Sequence, residues 1–353
     1  MKVAIVGGGL GGMAAGLALQ ARGASVTIYE RAAAFEEVGA GIQVSQNGLT
    51  VLSALGVSYD SALRSLGVTL NNHVGKRVAI LPNGPKRDAW LFHRAELLKL
   101  LENAARERGI TLELNAQITP DRAPDADLIV AADGVKSAFR ARVAPDLAAP
   151  RFSKQAAWRA VVEAPEPIQE AGVNVYMGPG RHVVVYPMAG GRLINVVAGE
   201  DTKEPAPEGW RQEVGRAALL QRYADFGGPL PGLFARAEKV HRWGLYDHAL
   251  PRRWSDGNVV LLGDAAHAML PYLAQGACMA FEDAWVLAAC VAKHRDLDDA
   301  LGAYEHARAP RVARVMKEVR ANATRFHHGN PVARVIGHTA LRTASTLVPG
   351  MIS

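Results

Sequence analysis

Val3-Ala4-Ile5-Val6-Gly7-Gly8-Gly9-Leu10-Gly11-Gly12 opens the chain with a short β-type apolar run that feeds straight into a glycine-rich turn. A helical pattern follows from Met13 to Arg22, Gly23 stops it, and Ser25-Val26-Thr27-Ile28-Tyr29-Glu30 reads as a second buried strand. Strand, turn, helix and strand make one βαβ unit of roughly 30 residues, which is how a doubly wound, Rossmann-like α/β fold begins. Gly7, Gly9 and Gly12 stand at the strand-to-helix turn, and Gly16 lies where helix and strand pack closely. Such glycines let the backbone approach a pyrophosphate, while the helix N-terminus supplies free N–H donors and a partial positive charge. Glu30 ends the second strand, where a carboxylate accepts hydrogen bonds from both hydroxyls of an adenosine ribose. By itself the unit suits NAD as well as FAD.

The remainder of the chain narrows the class. With 353 residues, 49% of them apolar and 21% charged, it can bury one large core or two joined ones. The net charge of +6 comes from scattered Lys and Arg with no basic block, which speaks against nucleic acid as a partner. Residues Val3 to Gln20 are apolar, but six glycines at turn spacing exclude a membrane span and no clear cleavage site marks a signal peptide. Cys278 and Cys290 share one apolar stretch and offer neither a disulfide framework nor a metal-ligand spacing, so a cytoplasmic protein is expected.

Asn47 to Leu55 and His93 to Arg108 read as helices, the latter with Leu97, Leu98, Leu101 and Ala105 on one face, after a loop containing Gly39 and Gly41. Asp127 to Ala132 is a third parallel-type strand. From about residue 151 the texture changes: Trp158 to Glu163, Val173 to Met177, His182 to Met188 and Arg192 to Ala198 are β-rich runs between Gly/Pro turns, as in an antiparallel sheet. The α/β pattern then returns with the strand Asn258 to Leu262, a helix from Gln275 to Lys293 and a long helix from Asp298 to Arg325 that contains Pro310. The expected organisation is a discontinuous nucleotide-binding domain of residues 1–72, 91–150 and 251–325, a β-rich substrate domain of 73–90 and 151–250, and a weakly patterned segment 326–353.

Two motifs select FAD over NAD. Asp133-Gly134 begins a string running to Arg140 after the third strand, and Gly263-Asp264 begins another running to Pro271 after Val259 to Leu262. Both lie at carboxyl ends of parallel strands, where such sheets bind ligands. Asp264 can accept from the hydroxyls of a ribityl chain, which a flavin has and a nicotinamide dinucleotide lacks. Gln275, Gly276 and Ala277 open a helix whose N–H groups suit the pyrimidine edge of a flavin and stabilise negative charge on its reduced form.

On these motifs, in this order, the chain resembles the single-component flavoprotein aromatic hydroxylases, the group containing para-hydroxybenzoate hydroxylase. It is most similar to the branch with salicylate hydroxylase, 3-hydroxybenzoate 6-hydroxylase and 6-hydroxynicotinate 3-monooxygenase. The resemblance implies one FAD, NADPH or NADH as reductant without a second dinucleotide domain, and O2 captured as a C4a-hydroperoxide that hydroxylates a small aromatic substrate. It also implies that Arg94 approaches the FAD phosphates or ribityl chain, that Arg31 and the backbone near Ile118 approach the adenosine, and that Asp133 closes the FAD site. In the β-rich part, alternation puts His182 and Tyr186 on one strand face, and the resemblance directs that face at the substrate. Tyr272 stands where several relatives carry a catalytic His, and Gln43 replaces another. A phenol or hydroxypyridine reacts faster as its anion, which gives His182, with Tyr186, the expected role of base. The competing readings are a hydroxylase of a polycyclic or quinone-like compound, a flavin oxidoreductase that inserts no oxygen, and a non-catalytic flavin scaffold.

Overall fold

The computed structural model describes residues 1–35, 40–84, 88–209 and 212–327, including all their side chains except those of residues 324–326. Gly39 and the segment beyond His327 therefore lie outside the described residues.

The opening βαβ unit forms the centre of a six-stranded sheet in the order Ser255–Asp256, Val259–Leu261, Leu128–Ala131, Lys2–Val6, Ser25–Tyr29, Thr111–Glu113. All neighbouring pairs are parallel except the edge pair Ser255–Asp256 with Val259–Leu261. The strand Lys2–Val6 is buried from Val3 onward, and the crossover helix Leu10–Gln20 is buried nearly all round. Such a helix has no polar face to show water, so it sits inside the α/β core. Two glycines make that fit possible. Gly7 has φ +107°, and a Cβ there would meet Ala132 O at 2.3 Å; a Cβ on Gly12 would meet Gly7 O at 1.9 Å. Helix Arg94–Glu107 covers the sheet with Leu97, Leu98, Leu101 and Ala105 as expected, each fully buried leucine contributing about 1.5–3 kcal/mol.

The second sheet has eight strands, in the order Glu213–Val214, Val240–Asp247, Arg151–Glu163, Leu193–Asp201, Arg181–Met188, Val173–Gly178, Gly67–Asn72, Arg77–Pro82. It is antiparallel apart from the parallel pair Val173–Gly178 with Gly67–Asn72. Gly67–Asn72, placed with the nucleotide-binding part in the sequence reading, is thus hydrogen-bonded into the β-rich sheet, and a division at residues 72 and 73 cuts the hairpin it makes with Arg77–Pro82. Alternation divides the sheet's faces. Trp158, Ala160, Val162, Val183, Val185 and Val196 pack on Leu219, Tyr223, Phe226, Leu230 and Phe234 of the two short helices Arg216–Arg222 and Leu230–Arg236 and their connection. The opposite face, carrying Ala157, Arg159, His182, Val184, Tyr186 and Val197, turns toward the nucleotide-binding loops.

A three-stranded antiparallel sheet, Gly41–Ser45, Ala89–His93 and Leu63–Arg64, joins the two. Gly41 N–H donates to Asn195 Oδ1 at 2.9 Å, tying it to the β-rich sheet. The helix Leu297–Phe326 packs along helix Gly276–Lys293, and its distal residues Val319 and Ala323 cluster with Ala157, Leu245, Leu270 and Tyr272. Its end, His327, therefore arrives at the β-rich sheet. Among the described residues no helix is long and apolar enough to cross a membrane.

Candidate active site

One cavity of about 370 Å³ runs from the glycine turn to the inner face of the β-rich sheet. At its nucleotide end, Gly9 caps helix Leu10–Gln20 without any side-chain hydrogen bond to the first turn, and a Cβ on Gly9 would meet open space. The N–H donors of that turn are left for a ligand. Glu30 is fixed beside the turn: its Oε2 accepts from Gly8 N–H at 2.8 Å and its Oε1 from Ala32 N–H at 2.9 Å. Each oxygen keeps a lone pair for a ribose hydroxyl. Gly7 and Gly12 shape the turn and do not border the cavity, and neither do Glu30, Asp133, exposed Arg31 or Ile118, which packs against the main core.

Arg140 joins the two later motifs. Its guanidinium donates to Val135 O at 2.8 Å, Ala265 O at 2.6 Å and Asp264 O at 2.5 Å. Asp133 Oδ2 accepts from Ala138 N–H at 2.9 Å, while Oδ1 is buried with no partner among the described residues. The second motif is held from beneath by Asp283, fully buried, whose Oδ2 accepts from Gly263 N–H at 3.1 Å and lies 2.6 Å from His267 Nε2, and whose Oδ1 accepts from Arg308 at 2.7 Å. Burial alone would raise the Asp283 pKa, yet His267 and Arg308 hold it at about 2. His267 lies within the string from Gly263 to Pro271, and it locks the loop that presents Asp264.

Asp264, Gly276 and Ala277 all border the cavity. Helix Gly276–Lys293 starts at Gln275 with no side-chain cap; the Gln275 amide is instead tied to Ser45 Oγ at 2.9 Å and Asn47 Nδ2 at 3.1 Å. These residues fit FAD: two uncapped helix N-termini open on one cavity, a carboxylate lies between them, and a buried Asp133 oxygen awaits a donor. Arg94 borders the same cavity. Burial and the like charge of Arg159 lower its pKa to about 10 against the pull of Asp264, so it stays cationic at neutral pH.

The other wall is the β-rich sheet. His182, Val184 and Tyr186 line it together, as alternation along Arg181–Met188 requires, and Gln43 and Tyr272 complete the group brought together from the sequence reading. Tyr272 is buried and its hydroxyl donates to Gln155 Oε1 at 2.8 Å, which assigns that hydroxyl to the protein. Burial raises the Tyr186 pKa, opposed by Arg159 and Gln43. Burial pushes His182 well below the ordinary imidazole value, so it is neutral.

Two residues escaped sequence reading. Arg159 is half-buried and borders the cavity; desolvation disfavours its charge, and its guanidinium makes no hydrogen bond or ion pair among the described residues. Its signal was a lone Arg in the apolar run Trp158 to Val162, on the alternate face. His327 had no local signal, yet its Nε2 lies 2.8 Å from His182 Nδ1.

The family model described as FAD binding domain matches residues 1–125 and 120–319. The 3-amino-4-hydroxybenzoate 2-monooxygenase of Streptomyces cremeus is 35% identical over 353 residues, covering 93% of this chain and 88% of that protein. The 3-hydroxybenzoate 6-hydroxylase of Polaromonas naphthalenivorans is 32% identical over 368 residues, covering 95% and 90%. Among solved structures, Klebsiella pneumoniae HpxO complexed with FAD and uric acid matches with a TM-score of 0.84 at 25% identity, over 100% of this chain and 96% of that one.

Proposed function

The chain belongs to the FAD-dependent aromatic hydroxylases, and from that premise we propose that it is an NAD(P)H-dependent monooxygenase acting on a small, anionic aromatic or N-heteroaromatic compound. The observation that carries the anionic substrate is Arg159: a guanidinium bordering the cavity with no counter-ion among the described residues. A buried charge is costly unless paired, and a carboxylate or ring anion bound in the cavity supplies the missing partner. The hydroxybenzoates for which two of the relatives are named carry such a carboxylate.

FAD, when bound, supplies the electrons and the activation of O2. The chain's residues do the rest. Uncapped N–H groups of the helix starting at Gly276 stabilise negative charge on the reduced ring, and Asp264 and Glu30 hold the ribityl and ribose hydroxyls. Arg159, with Arg94 on the same cavity, orients the substrate anion. His182 takes the ring hydroxyl's proton, which makes the ring a better nucleophile.

The test is NADH or NADPH oxidation by the FAD-loaded protein under ¹⁸O2, across hydroxybenzoates, aminohydroxybenzoates and hydroxypyridines. The expected result is substrate-stimulated oxidation with one ¹⁸O in the product. Stimulated oxidation with no labelled product from any of them would replace hydroxylation by simple hydride transfer.

A further inference from the structure

We propose that His327 and Asp201 form, with His182, a proton relay that carries the proton taken from the substrate hydroxyl along the inner face of the β-rich sheet to a separate solvent groove. The proposal rests on the reading of His182 as the base.

The geometry is a continuous chain. His182 Nδ1 lies 2.8 Å from His327 Nε2, and His327 Nδ1 lies 2.5 Å from Asp201 Oδ1. The imidazoles are 5.0 Å apart between centroids. The chain starts at the cavity, which His182 borders, and ends at a separate groove of about 720 Å³ bordered by His327, Asp201 and Gln155. The His182 and His327 side chains are nearly inaccessible, whereas that of Asp201 is 50% exposed.

The direction of the protons follows from the last acceptor. Burial would raise the Asp201 pKa, but its hydrogen bonds to His327 and Gln155 and the charge of Arg222 lower it, so Asp201 is an acceptor at neutral pH. Gln155 Nε2 is 3.2 Å from the same His327 Nδ1 and 3.1 Å from Asp201 Oδ1. Nδ1 cannot accept from the amide and also donate to the carboxylate; the shorter contact to a charged acceptor decides for donation. His327 therefore carries its proton on Nδ1 and accepts at Nε2. His182 must then carry its own proton on Nδ1, which leaves Nε2 basic. A proton arriving at Nε2 sends the Nδ1 proton to His327, and the Nδ1 proton of His327 moves to Asp201 and on to water. One proton enters and one leaves. Both imidazoles end neutral in the flipped tautomer and reset when the rings next exchange protons with substrate or solvent.

The charged and titratable surroundings fit this use. Tyr272 stands 5.6 Å from the His182 ring and 5.9 Å from His327; Arg222 faces Asp201; Arg151, Lys154, Asp247 and Arg320 line the groove. A static buried imidazolium at His182 would be disfavoured by its surroundings, so a base there needs an exit.

The experiment uses the FAD-loaded protein. With ¹⁵N-histidine at neutral pH, the tautomers of His182 and His327 should both read as Nδ1–H; a proton on His327 Nε2 overturns the relay without any ligand. In rapid mixing with 4-nitrophenol at a pH below its own pKa, phenolate colour reports proton loss to His182 and an indicator dye reports release to solvent. In the unaltered protein the two signals should rise together. In His327→Gln, which keeps a donor and an acceptor, and in Asp201→Asn, dye release should lag at least tenfold behind colour, and imidazole should restore it to His327→Ala. Release in both variants as fast as in the unaltered protein overturns the relay. Phenolate colour that survives in His182→Ala overturns instead the assignment of the base.

Discussion

Replacing Arg159 by methionine removes a guanidinium that borders the cavity while keeping a long apolar stem against Trp243, whose ring lies 5.7 Å from the charge. Two opposite effects follow. In the protein without substrate the charge has no counter-ion among the described residues and its burial disfavours it, so its loss should stabilise the fold by about 1 kcal/mol. In the complex, an ion pair at ~4 Å with an effective dielectric constant of ~20 is worth about 4 kcal/mol, and truncating such a pair costs about 2–5 kcal/mol in measured interfaces. Arg94 remains, and loss of Arg159 relieves the like charge that lowers its pKa, so part of the positive field survives. The expected loss is therefore about 100-fold in Kd, or roughly 3 kcal/mol. The assay compares 4-hydroxybenzoate with 4-hydroxybenzamide by titration of the flavin absorbance, and thermal unfolding of both proteins. Carboxylate binding should fall while amide binding changes little and Tm rises. Equal weakening of acid and amide would show that Arg159 shapes the cavity and does not pair with an anion.

Asp264→Ala should lose FAD during purification, since each charged hydrogen bond to a ribityl hydroxyl contributes about 1.5–3 kcal/mol; a flavin-saturated variant of unchanged affinity would remove Asp264 from the site. His182→Ala should still bind FAD and be reduced by NAD(P)H, with hydroxylated product lowered by about 10²–10⁴-fold and hydrogen peroxide released in its place. Product at near the original yield would leave His182 a packing residue. Asp283 has a folded-state pKa depressed from 3.8 to about 2, so its contribution is present above its unfolded value and is lost as pH falls through the folded one. The stability curve should lose roughly 2 kcal/mol between about pH 4 and about pH 2, and Asp283→Asn should lack that slope. The same variant should be less stable at neutral pH by about 3 kcal/mol, because the buried Arg308 loses one of its two carboxylate partners and keeps Glu282. Chemical denaturation across pH measures both.

The nucleotide-binding half was legible because its constraints are local. The Gly7 to Gly12 turn, the helix after it and the strand Ser25–Tyr29 lie within one βαβ unit, where period-2 and period-3.6 patterns and turn glycines act over a few residues. The same holds for the strand carrying His182 and Tyr186, whose shared face follows from alternation alone. The β-rich sheet was less legible at its margins. Gly67–Asn72 joins it through a parallel pairing with Val173–Gly178, about a hundred residues later in the chain, and Val240–Asp247, with polar residues interleaved among apolar ones, gave no clear apolar run to read. Strand pairing at such separation leaves no mark on either segment, since each satisfies the same alternation whichever partner it takes.

The residues that sequence reading passed over share a physical cause. Arg159 looks ordinary as a strand residue; it becomes unusual only when the fold sets it on the cavity wall with no carboxylate paired to it among the described residues. His327 sits one residue past a 30-residue helix, and its contacts to His182 and Asp201 span 145 and 126 residues. The helix pattern there reports which residues pack on helix Gly276–Lys293, and it says nothing about where the helix ends in space. That position depends on the cluster of Val319 and Ala323 with Ala157, Leu245 and Tyr272, which brings the last turn against the β-rich sheet. A bulky polar substitution at Val319 should therefore act on His182 at a distance. By displacing the helix end it would separate His327 from Asp201, so that dye release in the phenol experiment slows while FAD affinity, set by residues on the other side of the cavity, stays unchanged.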